Sequence, residues 1–429
     1  CHSCPVCHSC GTCPRESGEQ ESRKLKMETG AIKQIAIKRL SEIKNLHYPL
    51  SSFHFPLSTV LCPLFAVCYL LSAIHLYAQE ISIAIYQNQR SLNISSLKNF
   101  RVTEVKTGKI TPLFKGNSYL VLPFQDGIKI RERVFDGFLK FWGTEKLNVN
   151  GKNYRGIIYV ENKGGKLNCI NNLDIEDYLK GVLPAEVSPS WHIEALKAQA
   201  VVSRTYAFKN LGRFFDRGFD LCSTQISQVY KGADVEKEQT NLAVDVTKGE
   251  VLFYKGEVAK VFFHADAGGY TENPKYVWNS GEVPRYLKGV REPRFLKSPY
   301  SKWKCKIFFD DLEKKLVKNG YDVGKIFRLK ASDRTPSGRY KKIIVYSKKG
   351  KVKIPSNRFR TIVGSSKMRS TKIKRIKNKR KYAEIFGAGW GHGVGFSQWG
   401  AKALADKGWS YRKILQFYFP GTRIQKIKN

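Results

Sequence analysis

Carboxylates are scarce in this chain: 36 Asp and Glu face 75 Lys and Arg over 429 residues, a formal charge of +39. Such a surface is matched to anionic partners, and nucleic acid, anionic lipid headgroups and anionic cell-wall polymers all qualify. Charge of either sign is absent from Ser51 to Ala78. This apolar run follows a basic lead of Lys33, Lys38, Arg39 and Lys44, the layout of a signal peptide or an amino-terminal membrane anchor. Pro56 and Pro63 speak against a buried core helix there, while Leu76 is bulkier than a small-x-small cleavage site prefers. The expected location is therefore extracytoplasmic, in the cell envelope, either membrane-anchored or secreted. Beyond residue 78 the balance is 67 basic to 31 acidic residues. An exported protein rarely meets nucleic acid, so this excess is matched to the anionic wall or outer leaflet, or to solvated lysine-rich faces.

Cysteines that could staple a fold are also few. Of ten, five (Cys1, Cys4, Cys7, Cys10, Cys13) lie in an opening tract with no hydrophobic run to build on, and Cys62 and Cys68 fall in the apolar segment. The opening tract reads as an extended or mis-assigned start before Met27 rather than a metal site. Only Cys169, Cys222 and Cys305 remain, an odd number that does not support a disulfide framework. No internal repeat is evident. What is present, 42% hydrophobic and 12% aromatic residues, excludes a disordered chain and suffices for two modest cores or one elaborated one.

The expected organisation is a Cys-rich, basic extension over 1–50, the export segment over 51–78, a β-rich region over 79–171, and a core over 172–425 with an inserted segment around 303–365. The expected class is α+β, with a helical segment amid strands from both halves. A hairpin is expected around Lys163-Gly164-Gly165-Lys166. A short helix from Asp174 should stop at Pro184, and a longer one, capped by Ser190, should run from Trp191 to about Asn210.

In that longer helix Ile193, Leu196, Ala200, Val201, Ala207 and Phe208 form an apolar face with Lys197 and Arg204 at its centre. Either the two cations snorkel from a core face, or they point into a pocket where a carboxylate, an anion or a sugar meets them. Glu186 sits in Leu183-Pro184-Ala185-Glu186-Val187-Ser188-Pro189, a stiff, weakly polar setting that would raise its pKa toward the range of a general acid, although a solvated loop carboxylate is the bland alternative. Asp174, Glu176, Asp177 and Glu194 read as caps and solvated helix charges. From Gly387 to Gly395 glycine occupies every second position, and an extended strand there would have one bare face for a backbone or a flat sugar ring to approach. His392 in this tract reads as catalytic or structural. The tract lacks the βαβ setting of a dinucleotide fingerprint.

The blocks Leu173–Val187, Glu194–Ala207, Gln228-Val229-Tyr230, Phe263-His264, Gly268–Glu272 and Gly389–Ala401 resemble, in order, the stage II sporulation protein D and amidase-enhancer (SpoIID/LytB) family. The resemblance implies a lytic transglycosylase acting on peptidoglycan glycan strands, with Glu186 as catalytic acid and Lys197 and Arg204 implicated in activity. Gln228, Tyr230, His264 and His392 become candidates for lining the cleft. It also implies, as the alternative, a wall-binding protein that stimulates an N-acetylmuramoyl-L-alanine amidase without cutting. The zinc-carrying members' two His and two Cys are reduced to Cys222 in the stretch from Asp216 to Gln228, so neither metal nor cofactor is expected. The implied partners are glycan strands, a cell-wall amidase and, through an uncleaved amino-terminal segment, the cytoplasmic membrane, but not nucleic acid.

Overall fold

The computed structural model describes residues 79–278, 281–293 and 298–427. The expected extension (1–50) and export segment (51–78) lie outside them. The class is α+β. From Glu80 to Asp174 the chain is built of twelve strands, six in each of two sheets, and Leu221–Cys222 adds a seventh strand to one of them. Alternate residues of Phe138–Trp142 turn Leu139 and Phe141 inward, as a half-buried strand requires. The expected hairpin pairs Ile157–Asn162 with Leu167–Asp174. Its second strand, flanked also by Glu80–Gln89, is buried on both faces over most of its length.

Helix α1 (Ile175–Glu186) starts where the Asp174 carboxylate accepts the Glu176 N–H at 2.7 Å. It runs through Pro184 instead of stopping there. A proline so near the end removes one N–H bond but does not prevent a final turn, which the Val187 N–H closes onto the Leu183 carbonyl. Helix α2 (Ile193–Lys209) is capped by His192, not Ser190, and buries twelve of its seventeen residues. That is a core helix rather than a half-exposed one. Helix α3 (Glu238–Val246) and strand Glu250–Tyr254 pack on α2. The strand pairs with Arg423–Lys426 near the carboxyl end of the described chain. The α1 and α2 side chains share one apolar core with both amino-terminal sheets.

After the one-turn α4 (Lys275–Trp278) a second core spans Trp303 to Ile385 and takes in the inserted segment expected around 303–365. It holds two three-stranded sheets with α5 (Phe309–Lys318) and α6 (Ser356–Val363). The chain then returns to the first core through residues 387–395, α7 (Gln398–Ala405) and α8 (Tyr411–Tyr418). Within the lysine-dense stretch after Lys367, Ile373–Asn378 forms a mostly exposed edge strand.

The glycine tract is not the extended strand that its alternation suggests. Gly389, Gly391, Gly393 and Gly395 all have φ between +72° and +110°, so the backbone kinks at every second residue. The close approach expected of a bare face is nevertheless real. A Cβ on Gly391 would lie 2.7 Å from the His264 Cβ, and one on Gly393 2.3 Å from the Arg339 guanidinium carbon. Arg339 reaches from the second core into the first, donating to the carbonyls of Ala267 (2.8 Å) and Tyr270 (2.9 Å). Beside it, the Glu272 carboxylate accepts from the hydroxyls of Thr335 (2.6 Å) and Ser337 (2.7 Å). The inserted unit is thereby clamped to the segments that carry the two cleft histidines.

Candidate active site

Glu186 closes α1 and lines a cleft of about 1760 Å³. Its Oε1 accepts the Val229 N–H at 2.8 Å. The flanking side chains explain why that N–H is in place. Gln228 is buried, its Oε1 accepting from the Tyr178 hydroxyl at 3.3 Å. Tyr230 donates to Asn171 Oδ1 at 2.8 Å and packs on Tyr154 and Tyr178. Gly181 of α1 admits the Tyr230 ring, which a Cβ there would meet at 2.5 Å. With both neighbours anchored behind the wall, Val229 presents its backbone to the carboxyl. Gln228 and Tyr230 therefore support the site and do not line it.

Burial pushes the Glu186 carboxyl above the ordinary glutamate range, opposed by the Val229 N–H and the neighbouring Gln398 amide. The amide favours the charged form without a formed hydrogen bond, for its Nε2 has no partner within bonding distance.

Lys197 and Arg204, expected at the substrate, stand elsewhere. Arg204 is fully buried and forks onto Glu176, with Nε to Oε1 at 2.9 Å and Nη2 to Oε2 at 2.6 Å. Its remaining donors reach the carbonyls of Val244 and Glu250, both at 3.1 Å. The carboxylate that meets this cation is thus a helix residue expected to be solvated, and the pair ties α1, α2 and α3 together. Lys197 pairs with Glu194 at 2.8 Å and lies over the Tyr411 ring. Glu194, also among the carboxylates read as caps or solvated helix charges, accepts the Tyr411 N–H at 2.7 Å as well. Neither cation is part of the cleft wall; Arg213, Lys260 and Arg360 are.

His264 and His392 do line the cleft, their ring centroids 5.4 Å apart. The His264 Nδ1 lies 3.1 Å from the Val394 carbonyl, which can only accept, so this nitrogen carries the proton. The His392 Nδ1 instead accepts the Val394 N–H at 3.0 Å. Burial, then the nearby Arg339 and Arg360 charges, lowers the His392 pKa to about 3; burial, then His392, holds His264 well below the ordinary range. Both imidazoles are neutral at physiological pH and unsuited to donate a proton as cations. Trp278, Trp390 and Trp399 add broad apolar faces to the wall.

Sequence reasoning missed Gln398 and the cleft tryptophans as wall residues, although Trp390, Gln398 and Trp399 stand in the quoted carboxy-terminal block. It missed Arg360, Ser365 and Ser366 altogether, because they come from the inserted unit. The site thus consists of one sheltered carboxyl in an aromatic cleft with cations along its wall. It can deliver and recover one proton beside a ligand large enough to span it.

Residues 163–254 match the family description "Stage II sporulation protein", and residues 295–395 match a domain of unknown function. The chain is 32% identical over 318 residues to an uncharacterized protein of Brachyspira hyodysenteriae, covering 74% of this chain and 84% of that protein. It is 33% identical over 290 residues to the amidase enhancer of Bacillus subtilis, covering 57% of this chain but 40% of that protein. To the stage II sporulation protein D of the same organism it is 30% identical over 275 residues, covering 60% of this chain and 76% of that protein. With the ordered motifs, the family match and these relatives, the chain belongs to the stage II sporulation protein D (SpoIID/LytB) family.

Proposed function

We propose that this is a peptidoglycan lytic transglycosylase of the cell envelope, which seats a glycan strand in the cleft and cuts it with Glu186 as general acid and base. The observation that carries the reading is the environment of that carboxyl: it is the cleft's sheltered acid, held by the Val229 N–H and pushed by burial toward its protonated form. Protonated Glu186 gives its proton to the glycosidic oxygen as the bond from C1 of N-acetylmuramic acid breaks. The resulting carboxylate takes the proton of that sugar's 6-hydroxyl, whose oxygen bonds to C1 and closes a 1,6-anhydro ring. Because the nucleophile belongs to the substrate, one protein carboxylate suffices where ordinary glycosidases need two. Glu282, also on the wall, is exposed and is given no role.

A second reading is supported by the similarity to the amidase enhancer and by the placement of Lys197 and Arg204 away from the cleft. In it the cleft holds the strand without cutting and presents it to an N-acetylmuramoyl-L-alanine amidase. Incubating purified sacculi with the protein, alone or with such an amidase, separates the two. The enzyme releases soluble glycan alone and loses this with Glu186→Gln; the enhancer releases nothing alone, and Glu186→Gln leaves its stimulation intact.

A further inference from the structure

The inserted unit carries most of the net positive charge outside the amino-terminal segments. From Trp303 to Gly387, 85 residues hold 27 Lys and Arg against 6 Asp and Glu, whereas the other 266 residues from 79 onward hold 40 against 25. A general lysine habit of the sequence does not produce that contrast.

Strand alternation turns the charge outward. In Trp303–Phe308 the odd positions are buried, while Lys304, Lys306 and Phe308 are exposed. Register places Lys304 and Arg375 on either side of Phe386, and Lys306 and Lys377 on either side of Glu384. Arg375 and Lys304 lie 4.6 Å and 5.4 Å from the Phe386 ring centroid, so all three share one face. The second sheet repeats the plan: Arg328 and Lys351 flank Tyr346, and Lys330 and Lys353 flank Ile344. The Asn378 amide joins the two sheets, accepting from the Leu329 N–H at 2.8 Å and donating to its carbonyl at 3.0 Å. The edge strands Ile373–Asn378 and Ile326–Arg334 of the two sheets therefore lie side by side. Against these eight cations stands Glu384, already held by Lys304.

Cations two residues apart on a strand repeat at about 7 Å, and those flanking a central strand are about 10 Å apart. This is a two-dimensional array, and a linear polyanion would neutralise one row of it. The central-strand rings are covered by the cations themselves, Lys306 lying 4.0 Å from the Tyr382 centroid, which leaves them poorly placed to stack on nucleobases. Phe308 and Phe327, in contrast, are about half exposed. An array of phosphates in a plane, with room for aromatic side chains between headgroups, meets both features.

We propose that the outward sheet surface of the inserted unit docks on an anionic lipid bilayer, its lysines and arginines on headgroup phosphates and Phe308 and Phe327 in the interface. The chain from residue 79, which contains both cores, is the material for the test, since it leaves out the apolar segment before it. Co-sedimentation is measured with phosphatidylcholine vesicles and with vesicles also containing phosphatidylglycerol. The protein should partition onto the second kind alone and be released by salt. Replacing Lys304, Lys306, Arg375 and Lys377 together by Gln should weaken that partitioning by about tenfold or more, with an unchanged melting temperature and unchanged handling of sacculi. No preference for phosphatidylglycerol, or equal partitioning of the variant, overturns the proposal. So does tighter binding to a single-stranded oligonucleotide than to the anionic vesicles at equal phosphate and salt, which would assign the surface to a linear polyanion.

Discussion

Replacing Arg204 by Met should unfold this protein more readily without touching its cleft. The guanidinium is fully buried, and its donors are spent on Glu176 and on the carbonyls of Val244 and Glu250. Removing one partner of a buried ion pair strands the other charge and costs about 3–5 kcal/mol. The Gly249 N–H at 3.0 Å from Glu176 Oε1 offsets only part of this. Glu176→Met alone should cost a similar amount by stranding Arg204. The double variant should recover much of the loss, because apolar replacement of a whole buried pair is often close to neutral. The assay is the urea midpoint of the four proteins, with solubilisation of sacculi measured well below each transition. An Arg204→Met protein that unfolds at the parental urea concentration yet no longer acts on sacculi would refute the reasoning and return this residue to the substrate.

Glu186→Gln should stabilise the fold in a pH-dependent way. Burial raises the folded-state pKa of this carboxyl, so the folded state holds its proton more tightly than the unfolded one. Wild-type stability therefore declines as pH rises from the ordinary glutamate range through the raised one. The melting-temperature gap of variant over wild type should widen across that interval and then level off; a constant gap would count against a sheltered carboxyl. Gly393→Ala should destabilise the junction of the two cores by about 2 kcal/mol or more, since φ is +87° and the new methyl would lie 2.3 Å from the Arg339 guanidinium carbon. Calorimetry checks this, and an unchanged transition would show that Arg339 can move aside. Trp278→Ala should weaken binding of an N-acetylated glycan oligomer several-fold while leaving the transition near that of the parent, because the ring is substantially exposed on the cleft wall. Equal affinities would place the strand elsewhere.

Much of this arrangement was legible in residue patterns. The Lys163–Lys166 hairpin follows from local turn chemistry. Glu186 was legible as a candidate acid, but the Val229 N–H that holds it comes from a segment distant in sequence. Partner choice for charged side chains was not legible. The wheel of α2 puts Arg204 on an apolar face, but only the packing of α1 reveals that Glu176 is the carboxylate waiting there. The glycine tract misled differently, because period-two alternation suits both a strand and a string of left-handed kinks. The choice between them is made by tertiary neighbours, His264 and Arg339, distant in sequence. Arg360 and Ser365 entered the cleft from the inserted unit for the same reason.

The most direct measurement is the mass of the products formed from a defined, peptide-free glycan strand. A carboxyl that lends a proton and recovers it from the sugar's own hydroxyl yields 1,6-anhydro ends, one water lighter than hydrolytic ends, from the parent and none from Glu186→Gln. Hydrolytic ends, or anhydro ends that persist in the Glu186→Gln protein, would contradict the account.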